Sequence, residues 1–154
     1  MRRQGAGRIV QCSSVLGLMA APYRGAYCAS KYALEALTDA MRMELHGTGI
    51  RVSLIEPGPI RTEFLATALR MFRTRIDIAG SPHAEVYERR LAGMEAGGKT
   101  TFKLGPEAVV KRLIHAIESP RSKPRYFVTV PTHGASLLKR LLPTGLLDQF
   151  ARGQ

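Results

Sequence analysis

Short apolar runs and one long helical pattern dominate the distribution of hydrophobic and polar positions along the chain. Near-continuous apolar runs predict strands near 8–13, 51–56 and 125–130, because strands of a parallel sheet are buried on both faces. Residues from about 26 to about 46 carry apolar side chains at three- and four-residue spacing, which predicts a helix. Strand, helix and strand in this order form a right-handed crossover with parallel strands. The pattern therefore predicts a three-layer α/β fold with a short parallel sheet.

The apolar stripe of the 26–46 helix is made mostly of small side chains. Small side chains let a helix lie close to a sheet or to a partner helix, so this stripe is predicted to be the packing face. Its members are Ala29, Ala33, Ala36, Leu37, Ala40, Met41 and Leu45. Gly47 and Gly49 are expected to end the helix.

The chain after the second predicted strand is loosely patterned and then helical. Apolar spacing indicates helices near 64–72, 87–94 and 107–118, with Gly97–Gly98 ending the second of them. A long insertion after the ligand-binding end of a strand is typical of a lid or a binding loop. The segment 63–104 is therefore predicted to border a site.

The C-terminal tail, residues 133–154, is rich in leucine and broken at Pro143. It also carries Lys139 and Arg140. An apolar and basic tail can pack on its own domain, dimerise, or touch an anionic membrane. Packing on the domain is the simplest of these interpretations.

Composition and charge are those of an ordinary folded domain. A chain of 154 residues with 45% apolar residues is long enough for one domain with a core. The formal charge is +11 and the pI is about 10.4, but Lys and Arg are scattered rather than clustered. Neither zinc-finger spacing nor an RNA-recognition motif is present, so binding of nucleic acid is not favoured. A solvated basic face explains the charge most simply, and a phosphate-bearing cofactor or a membrane surface would use part of it.

The cysteines and histidines have no spacing that predicts a metal site or a disulfide framework. Cys12 and Cys28 are isolated and are interpreted as reduced thiols of a cytoplasmic protein. The histidines lie far apart, at His46, His83, His115 and His133. A signal-peptide core is not seen after the first arginines, and an apolar run of about 18 residues is not seen anywhere, so no membrane span is expected.

The candidate chemistry begins with Tyr27 and Lys31, which lie four residues apart at the start of the predicted long helix. Residues at this spacing project from one helix face, so an ammonium would lie beside a phenol. A free phenol has a pKa of about 10, and a cation within about 4–6 Å can lower such a value by about 1–3 units. A phenol tuned in this way can exchange a proton with a substrate oxygen. Alone, the pair also fits a packed aromatic ring beneath a lysine stem.

Two further features converge on the same place. Ser14 follows the first predicted strand, and Pro57–Gly58 closes the second. Open parallel sheets bind ligands at the carboxyl ends of their strands. Tyr27 begins the helix that leaves this edge, so all three features are expected to meet in one crevice.

Together these motifs resemble the short-chain dehydrogenase/reductase family, in its aldehyde reductase, retinol and hydroxysteroid dehydrogenase-like branch. The resemblance is carried by Ser14, by Tyr27-x-x-x-Lys31, and by Pro57-Gly58-x-x-x-Thr62. It implies a Rossmann-like fold and an oxidoreductase that transfers hydride between NAD or NADP and a carbonyl or alcohol. Only the C-terminal portion of that fold would be present, with its N-terminal half missing.

The resemblance also implies a role for each residue of the motifs. Ser14 would bind the substrate oxygen, Tyr27 would donate the proton, and Lys31 would favour the phenolate and hold the cofactor ribose. The backbone of Pro57, Gly58 and Ile60, with Thr62, would hold the nicotinamide carboxamide. The residues expected to bind the substrate are Leu18, Met19, Tyr23 and Phe64, with Leu65 and Phe72 nearby.

The same resemblance assigns segments and partners. Residues 63–104 correspond to the substrate-capping region, and the 26–46 helix to a surface through which subunits associate. Apolar residues beside the crevice favour a lipophilic aldehyde, retinoid-like or steroid-like carbonyl, with no fixed charge required to face it. Peripheral membrane contact through the tail stays an alternative.

Several family features are absent from the sequence. The glycine-rich turn after the first strand, the Asn-Ala-Gly segment and the catalytic asparagine do not occur, and Gly5-x-Gly7 precedes a strand rather than following one. The chain therefore supplies the nicotinamide end without the pyrophosphate and adenosine subsites, and gives no basis for choosing NAD or NADP. Alone, it is expected to bind cofactor poorly and to be inactive.

Three functional hypotheses follow. The first is an oxidoreductase acting on a lipophilic carbonyl or alcohol. The second is a catalytically silent piece of such an enzyme. The third is a non-enzymatic basic binding module, which would have to bind nucleic acid or acidic lipid at moderate salt.

Overall fold

A three-stranded parallel sheet forms the centre of the computed structural model, which describes residues 1–96 and 101–152. The strands are β1 (Gly7–Cys12), β2 (Ile50–Glu56) and β3 (Arg125–Phe127). β2 lies between β1 and β3, and both pairings are parallel. The predicted parallel sheet with neighbouring first and second strands is thus confirmed.

Six helices surround the sheet in the described part of the chain. They are α1 (Gly25–Glu44), α2 (Phe64–Arg75), α3 (Ala84–Glu95), α4 (Glu107–Glu118), α5 (Val130–Leu141) and α6 (Thr144–Arg152). The predicted helices near 26–46, 64–72, 87–94 and 107–118 are all present. The predicted break at Gly97–Gly98 lies outside the described residues, as do the last two residues of the tail.

The third strand is shorter than the sequence predicts. It ends at Phe127, and helix α5 begins at Val130 instead of the strand continuing to that residue. Pro131 explains the difference, because proline cannot donate to a strand ladder and fits the first turn of a helix. The tail therefore begins inside a helix that packs on the domain through the buried Thr132 and Ala135.

Helix α4 covers one face of the sheet with an apolar interface. Ile55 and Tyr126 are neighbours in the β2–β3 register, and Ala116 of α4 is buried with them. Val109 of α4 and Val10 of β1 pack against the same cluster. Burial of these side chains holds α4 on the sheet through the hydrophobic effect.

Helix α1 covers the opposite face, and of the two surfaces that its small-residue stripe could meet, a sheet or a partner helix, the sheet is not the one. The alanine-rich stripe points away from the sheet, and its Leu37 is 56% exposed. The buried residues of α1 are instead Cys28, Glu35 and Thr38. The reason is electrostatic, because the sheet presents charged side chains to this face and α1 turns its own polar residues toward them.

Arg125 of β3 is the centre of that polar interface. Its guanidinium donates hydrogen bonds to the carboxylates of Glu35 on α1 and Glu56 at the end of β2. A third bond, of 2.7 Å, joins its Nη2 to Oδ2 of Asp39, one turn after Glu35. Glu56 is fully buried, so its carboxylate depends on these contacts in place of water.

The arrangement moves the pKa values of its members in opposite directions. Burial and the neighbouring Glu35 carboxylate raise the pKa of Glu56 to about 8. Burial alone would raise the pKa of Asp39, but hydrogen bonds and charges from Arg42 and Arg125 lower it below its ordinary value. For Arg125, a base, burial acts in the other direction and would lower the pKa. The hydrogen bond to Glu35 and the surrounding carboxylates outweigh burial and raise the pKa of Arg125. One guanidinium therefore shares a site with carboxyl groups that do not all ionise together.

This network predicts how stability varies with pH. The folded state holds the Glu56 proton up to about pH 8, whereas the unfolded chain releases it near the ordinary value of 4.5. Folding therefore binds a proton between these values, and the free energy of unfolding falls as pH rises through that window, by on the order of 1 kcal/mol per pH unit. Urea unfolding between pH 5 and pH 8 measures the slope. Glu56→Gln should flatten it relative to the wild type, and an equal slope in both proteins would contradict the assignment.

Candidate active site

The carboxyl ends of β1 and β2 and the start of α1 form one edge of the molecule. The chain leaving β1 runs beside β2, because Ser13 N donates to Ile55 O at 2.8 Å and Val15 N donates to Pro57 O at 2.8 Å. These bonds place Ser14 next to the Pro57–Gly58 turn. The backbone thus brings Ser14 beside Pro57–Gly58, and a common crevice that also includes Tyr27 stays a prediction.

Ser14 lies between those two backbone bonds and is half-buried. Its Oγ accepts a hydrogen bond from Leu16 N at 3.2 Å and so caps a short 3-10 turn, Val15–Gly17. Within residues 1–96 and 101–152 this is the one hydrogen bond of the Ser14 side chain. Its hydroxyl hydrogen therefore stays available for an incoming acceptor.

Tyr27 and Lys31 lie one turn apart at the start of α1, as the spacing predicts. Lys31 Nζ lies 5.7 Å from the centroid of the Tyr27 ring. It also donates a hydrogen bond of 3.0 Å to Cys12 O, at the end of β1. That bond ties the ammonium to the sheet edge and leaves two of its three N–H donors for a ligand.

The Tyr27 ring contacts α2. It packs 5.9 Å from the ring of Phe64, measured between centroids. In the described part of the chain the Tyr27 hydroxyl has no hydrogen-bond partner. A phenol with a nearby cation and an unused hydroxyl can take part in proton transfer.

Tyr32 provides a contrast on the same helix. Its hydroxyl donates to Leu18 O at 2.7 Å, and Lys139 Nζ lies 4.4 Å from its ring centroid. Burial, followed by the charge of Cys28, raises the pKa of Tyr32. Tyr32 thus has a structural bond where Tyr27 has none.

The segment after β2 is fixed by backbone contacts. Leu104 N donates to Pro59 O at 3.2 Å, and Arg61 N donates to Leu104 O at 2.8 Å, so Ile60 lies in a bridge with Leu104. The side chain of Ile60 packs on the apolar core, which leaves only its backbone for a ligand. Thr62 is exposed, and its Oγ1 accepts from Phe64 N at 3.4 Å.

Gly58 is packed directly against the start of α5. A Cβ at this position would lie 2.1 Å from Thr129 Oγ1 and 2.9 Å from Thr132 Oγ1. The two threonine hydroxyls are buried and hydrogen-bonded to each other at 3.0 Å. Glycine is therefore required here by close packing against α5.

An apolar cavity of about 340 Å³ opens beside Tyr27. Its walls come from the start of α1, from α2 and from α3. The lining residues are Pro22, Tyr23, Arg24, Gly25, Ala26, Tyr27, Phe64, Leu65, Ala68, Leu69, Phe72, Tyr87, Arg90, Leu91 and Met94. The cavity is large enough for a small lipophilic molecule.

The residues predicted to bind substrate divide into two groups. Tyr23 and Phe64 line the cavity, together with Leu65 and Phe72. Leu18 and Met19 do not line it: Leu18 is buried, and Met19 N is bonded to Val15 O at 3.1 Å. The short turn after Ser14 curls their part of the loop against α1 rather than toward α2.

Tyr23 anchors the aromatic side of the cavity. Its φ of 63° lies in the left-handed region, which is unusual for a bulky residue. The ring makes edge contacts with His83 at 5.6 Å and with Tyr87 at 5.9 Å, and Arg90 lies 5.0 Å from its centroid. These contacts from α3 hold the strained backbone in place.

The sequence prediction missed the contribution of α3, including the charge of Arg90. His83, Tyr87, Arg90, Leu91 and Met94 recur at three- and four-residue spacing, which puts them on one helix face. That spacing indicates that these residues share a helix face, but only the tertiary structure shows that this face closes a cavity. From the sequence, no charge had to face the crevice, and the structure shows that Arg24 and Arg90 line the cavity.

The described residues contain no group of three or more His, Cys, Asp and Glu residues that could hold a metal ion. None of the helices in the described ranges is long and apolar enough to cross a membrane.

Comparison with known sequences gives a consistent family. A family model described as short chain dehydrogenase matches residues 1–71. The uncharacterized oxidoreductase YbbO of Escherichia coli K12 is 47% identical over 153 residues, covering 99% of this chain and 51% of the relative. Human 17-beta-hydroxysteroid dehydrogenase type 1 is 36% identical over 139 residues, covering 84% of this chain and 39% of the relative. The chain spans about half the length, or less, of these curated relatives.

Comparison with solved structures gives the same fold. A short chain dehydrogenase from Burkholderia cenocepacia J2315 in complex with NADP matches with a TM-score of 0.62 at 20% identity, covering 96% of this chain and 50% of that chain. A short chain dehydrogenase from Mycobacterium paratuberculosis bound to NAD matches with a TM-score of 0.57 at 21% identity, covering 86% and 48%. These likenesses show a Rossmann-like α/β fold.

The packing of Gly58 gives a stability prediction. Gly58→Ala should lower the free energy of unfolding by about 1–3 kcal/mol, because the new methyl group overlaps the Thr129 hydroxyl at a tightly packed turn. Gly134→Ala is the matched control, since a Cβ at that helical position meets nothing within 4 Å. It should be neutral or stabilising. Denaturant unfolding of both variants measures the difference, and equal stabilities would show that the turn relaxes freely.

Proposed function

Because the chain belongs to the short-chain dehydrogenase/reductase family, we propose that it forms the nicotinamide- and substrate-binding part of an NAD- or NADP-dependent oxidoreductase. The reaction is hydride transfer between the cofactor and a lipophilic carbonyl or alcohol. One observation carries the proposal: the Tyr27 hydroxyl has no protein partner in the described chain, has Lys31 beside its ring, and belongs to a residue that lines an apolar cavity.

The proposed roles are those that the family resemblance implies, and the contacts at the sheet edge support them. Ser14 donates its free hydroxyl hydrogen to the carbonyl oxygen and so orients the substrate. Tyr27 donates its proton to the same oxygen while hydride reaches the carbon, which leaves an alcohol and a phenolate. The Lys31 ammonium, held by Cys12 O at 3.0 Å, stabilises that developing negative charge. In the oxidation direction the phenolate accepts the alcohol proton.

The residues present fit the nicotinamide end of a cofactor. The two unused N–H donors of Lys31 suit ribose hydroxyls, and the exposed Thr62 hydroxyl with the backbone of Pro57, Gly58 and Ile60 suits a carboxamide. When bound, the nicotinamide supplies or accepts the hydride. Nothing in these residues distinguishes NAD from NADP, since the adenosine ribose lies at the other end of the molecule.

The proposed substrate is a lipophilic aldehyde, retinoid-like or steroid-like carbonyl. Support comes from the aromatic and aliphatic walls of the cavity and from the human relative, whose name is that of a hydroxysteroid dehydrogenase. The walls belong to the proposed capping region, 63–104, of which residues 97–100 lie outside the described part. We place the reaction in the cytoplasm, where the free thiols of Cys12 and Cys28 would stay reduced.

Association with a second copy or with a membrane is proposed from exposed apolar faces. The alanine stripe of α1, with Leu37 56% exposed, offers a flat surface to a partner helix. In the tail, Leu137 and Leu141 of α5 are 58% and 69% exposed and lie near Lys139 and Arg140. Apolar and basic side chains of this kind suit an anionic membrane surface.

Replacement of Tyr27 tests the proposed chemistry. A chimera with the first half of the Escherichia coli relative ahead of this chain supplies the glycine-rich end of the cofactor site. Tyr27→Phe in this chimera should lower turnover of aldehydes by at least about 10²-fold, because the general acid is removed while the ring is kept. NADPH and NADH oxidation with aldehydes of increasing chain length measures both the loss and the expected preference for longer chains. Tyr32→Phe is the control, and near-normal turnover by Tyr27→Phe would exclude Tyr27 as the acid.

The chain alone should bind cofactor weakly. A dinucleotide is held mainly by its pyrophosphate on a glycine-rich turn, and this sequence lacks that turn. Fluorescence titration of residues 1–154 with NADH and NADPH measures the affinity. A dissociation constant in the low micromolar range from a monodisperse sample would show that the nicotinamide end is sufficient, and the hypothesis of a catalytically silent chain would then lose its basis.

A further inference from the structure

Arg90 is a charged residue in a cavity that is otherwise largely apolar. It lies in the middle of α3, is half-buried, and lines the same cavity as Tyr27. A guanidinium in such a place has lost part of its hydration and normally has a carboxylate partner. A purely apolar substrate would not neutralise the charge of Arg90 or accept its hydrogen bonds.

In the described ranges no Asp or Glu oxygen lies within 4.0 Å of the Arg90 guanidinium. Three other arginines of the described chain, Arg42, Arg73 and Arg125, do pair with carboxylates. Arg73 of α2 donates to Glu95 of α3 at 2.8 and 2.9 Å. Glu95, on the same helix as Arg90, is thus bonded to Arg73 and not to Arg90.

The guanidinium of Arg90 is nevertheless held in a defined position. Its Cζ lies 5.0 Å from the centroid of the Tyr23 ring, a distance at which a cation is attracted to an aromatic face. Tyr23 is itself fixed by His83 and Tyr87. Stacking uses the face of the guanidinium and leaves the N–H groups at its edge free to bind an anion in a bidentate manner.

More positive charge surrounds the entrance. Arg24 lines the cavity, and an adjoining open groove is lined by Arg89, Arg90 and Arg152. Within the described chain, none of Arg24, Arg89 and Arg152 has a carboxylate partner either. Clustered charge of one sign at a cleft attracts ligands of the opposite sign and raises their rate of association.

We propose that the cavity binds lipophilic molecules that carry a carboxylate, with the apolar chain against α2 and α3 and the carboxylate on Arg90. Resting on the proposed function, this narrows the substrates to carbonyl compounds with an acidic group remote from the reacting carbonyl, such as long-chain oxo acids. Arg90 is then a specificity-determining residue, since it selects among chains of equal length by their charge.

Calorimetric titration of residues 1–154 with octanoate, octan-1-ol and octylammonium tests the proposal without cofactor or turnover. Octanoate should bind about tenfold more tightly than octan-1-ol, because a charge-assisted hydrogen bond is stronger than a neutral one and partial exposure reduces the gain. Octylammonium should bind most weakly. Added sodium chloride should weaken the binding of octanoate and leave that of octan-1-ol unchanged.

Substitutions test whether Arg90 is the residue responsible for the preference for octanoate. Arg90→Met should abolish the preference for octanoate while the affinity for octan-1-ol is kept, and Arg90→Lys should retain part of the preference as a point charge. Arg112→Met on α4 is the matched control, since Arg112 is an exposed helical arginine remote from the cavity lining. If Arg90→Met fails to fold, the Arg90→Lys variant and the salt dependence of the wild type decide the question.

The outcomes separate this inference from the proposed chemistry. Equal affinities for octanoate and octan-1-ol, an unchanged preference in Arg90→Met, or no binding of any of the three ligands would each overturn it. Tyr27→Phe should keep the preference for octanoate, because that variant loses a proton donor and not the anion site. A chimera that fails to reduce aldehydes would therefore refute the oxidoreductase proposal and the substrate class drawn from it, and would leave the binding of carboxylates at Arg90 in place.

Discussion

The position of α1 on the sheet depends on the hydrogen bonds of Arg125. Its guanidinium bonds Glu56 at the end of β2 and Glu35 and Asp39 on α1, so one side chain joins two strands and a helix. Breaking such a buried set by removing one partner leaves an uncompensated charge, which costs several kcal/mol. The contact is directional, unlike an apolar interface, and it fixes both the rotation and the axial position of α1. Tyr27 and Lys31 lie on the same side of the helix, two turns and one turn before Glu35, and their placement follows from it.

The polar interface also explains how opposite faces of one sheet differ. The face under α4 is closed by aliphatic and aromatic packing around Ile55 and Tyr126. The face under α1 joins Glu35, Asp39 and Arg125 and ends at the Lys31–Cys12 bond, so ionic contacts run along the helix up to the candidate active site. A rigid carboxyl edge lets the Ser14 turn and the Pro57–Gly58 turn keep fixed positions relative to Tyr27. Most of the cavity lining lies beyond this edge, on α2 and α3.

Much of this architecture could be read from the sequence, and the differences have physical causes. Strands β1 and β2 and helix α4 were predictable because apolar periodicity decides them. The outward rotation of the alanine stripe could not be predicted, because it depends on the bonds that Glu35 and Asp39 make with Arg125, which lies 86–90 residues further along the sequence. The prediction that β3 extends to residue 130 was wrong because of Pro131. The preference of proline for the first turn of a helix outweighs the strand propensity of the valines. In the candidate site, Ser14, Tyr27 and Lys31 could be nominated from their positions in the sequence and their roles stay predictions, whereas Arg90 lies on an ordinary amphipathic helix and draws attention only because it lines the cavity.

Helices α2 and α3 pack mainly against each other and meet the rest of the chain around the start of α1. Most of the cavity wall therefore belongs to helices that make few contacts with the sheet, and Tyr27 at the start of α1 links the two. Substitutions in these helices would therefore reshape the cavity with little effect on the packing of the strands. For protein engineering, the segment from Phe64 to Glu95 is the part of the described chain to vary if the shape of the cavity is to change and the sheet is to stay as it is.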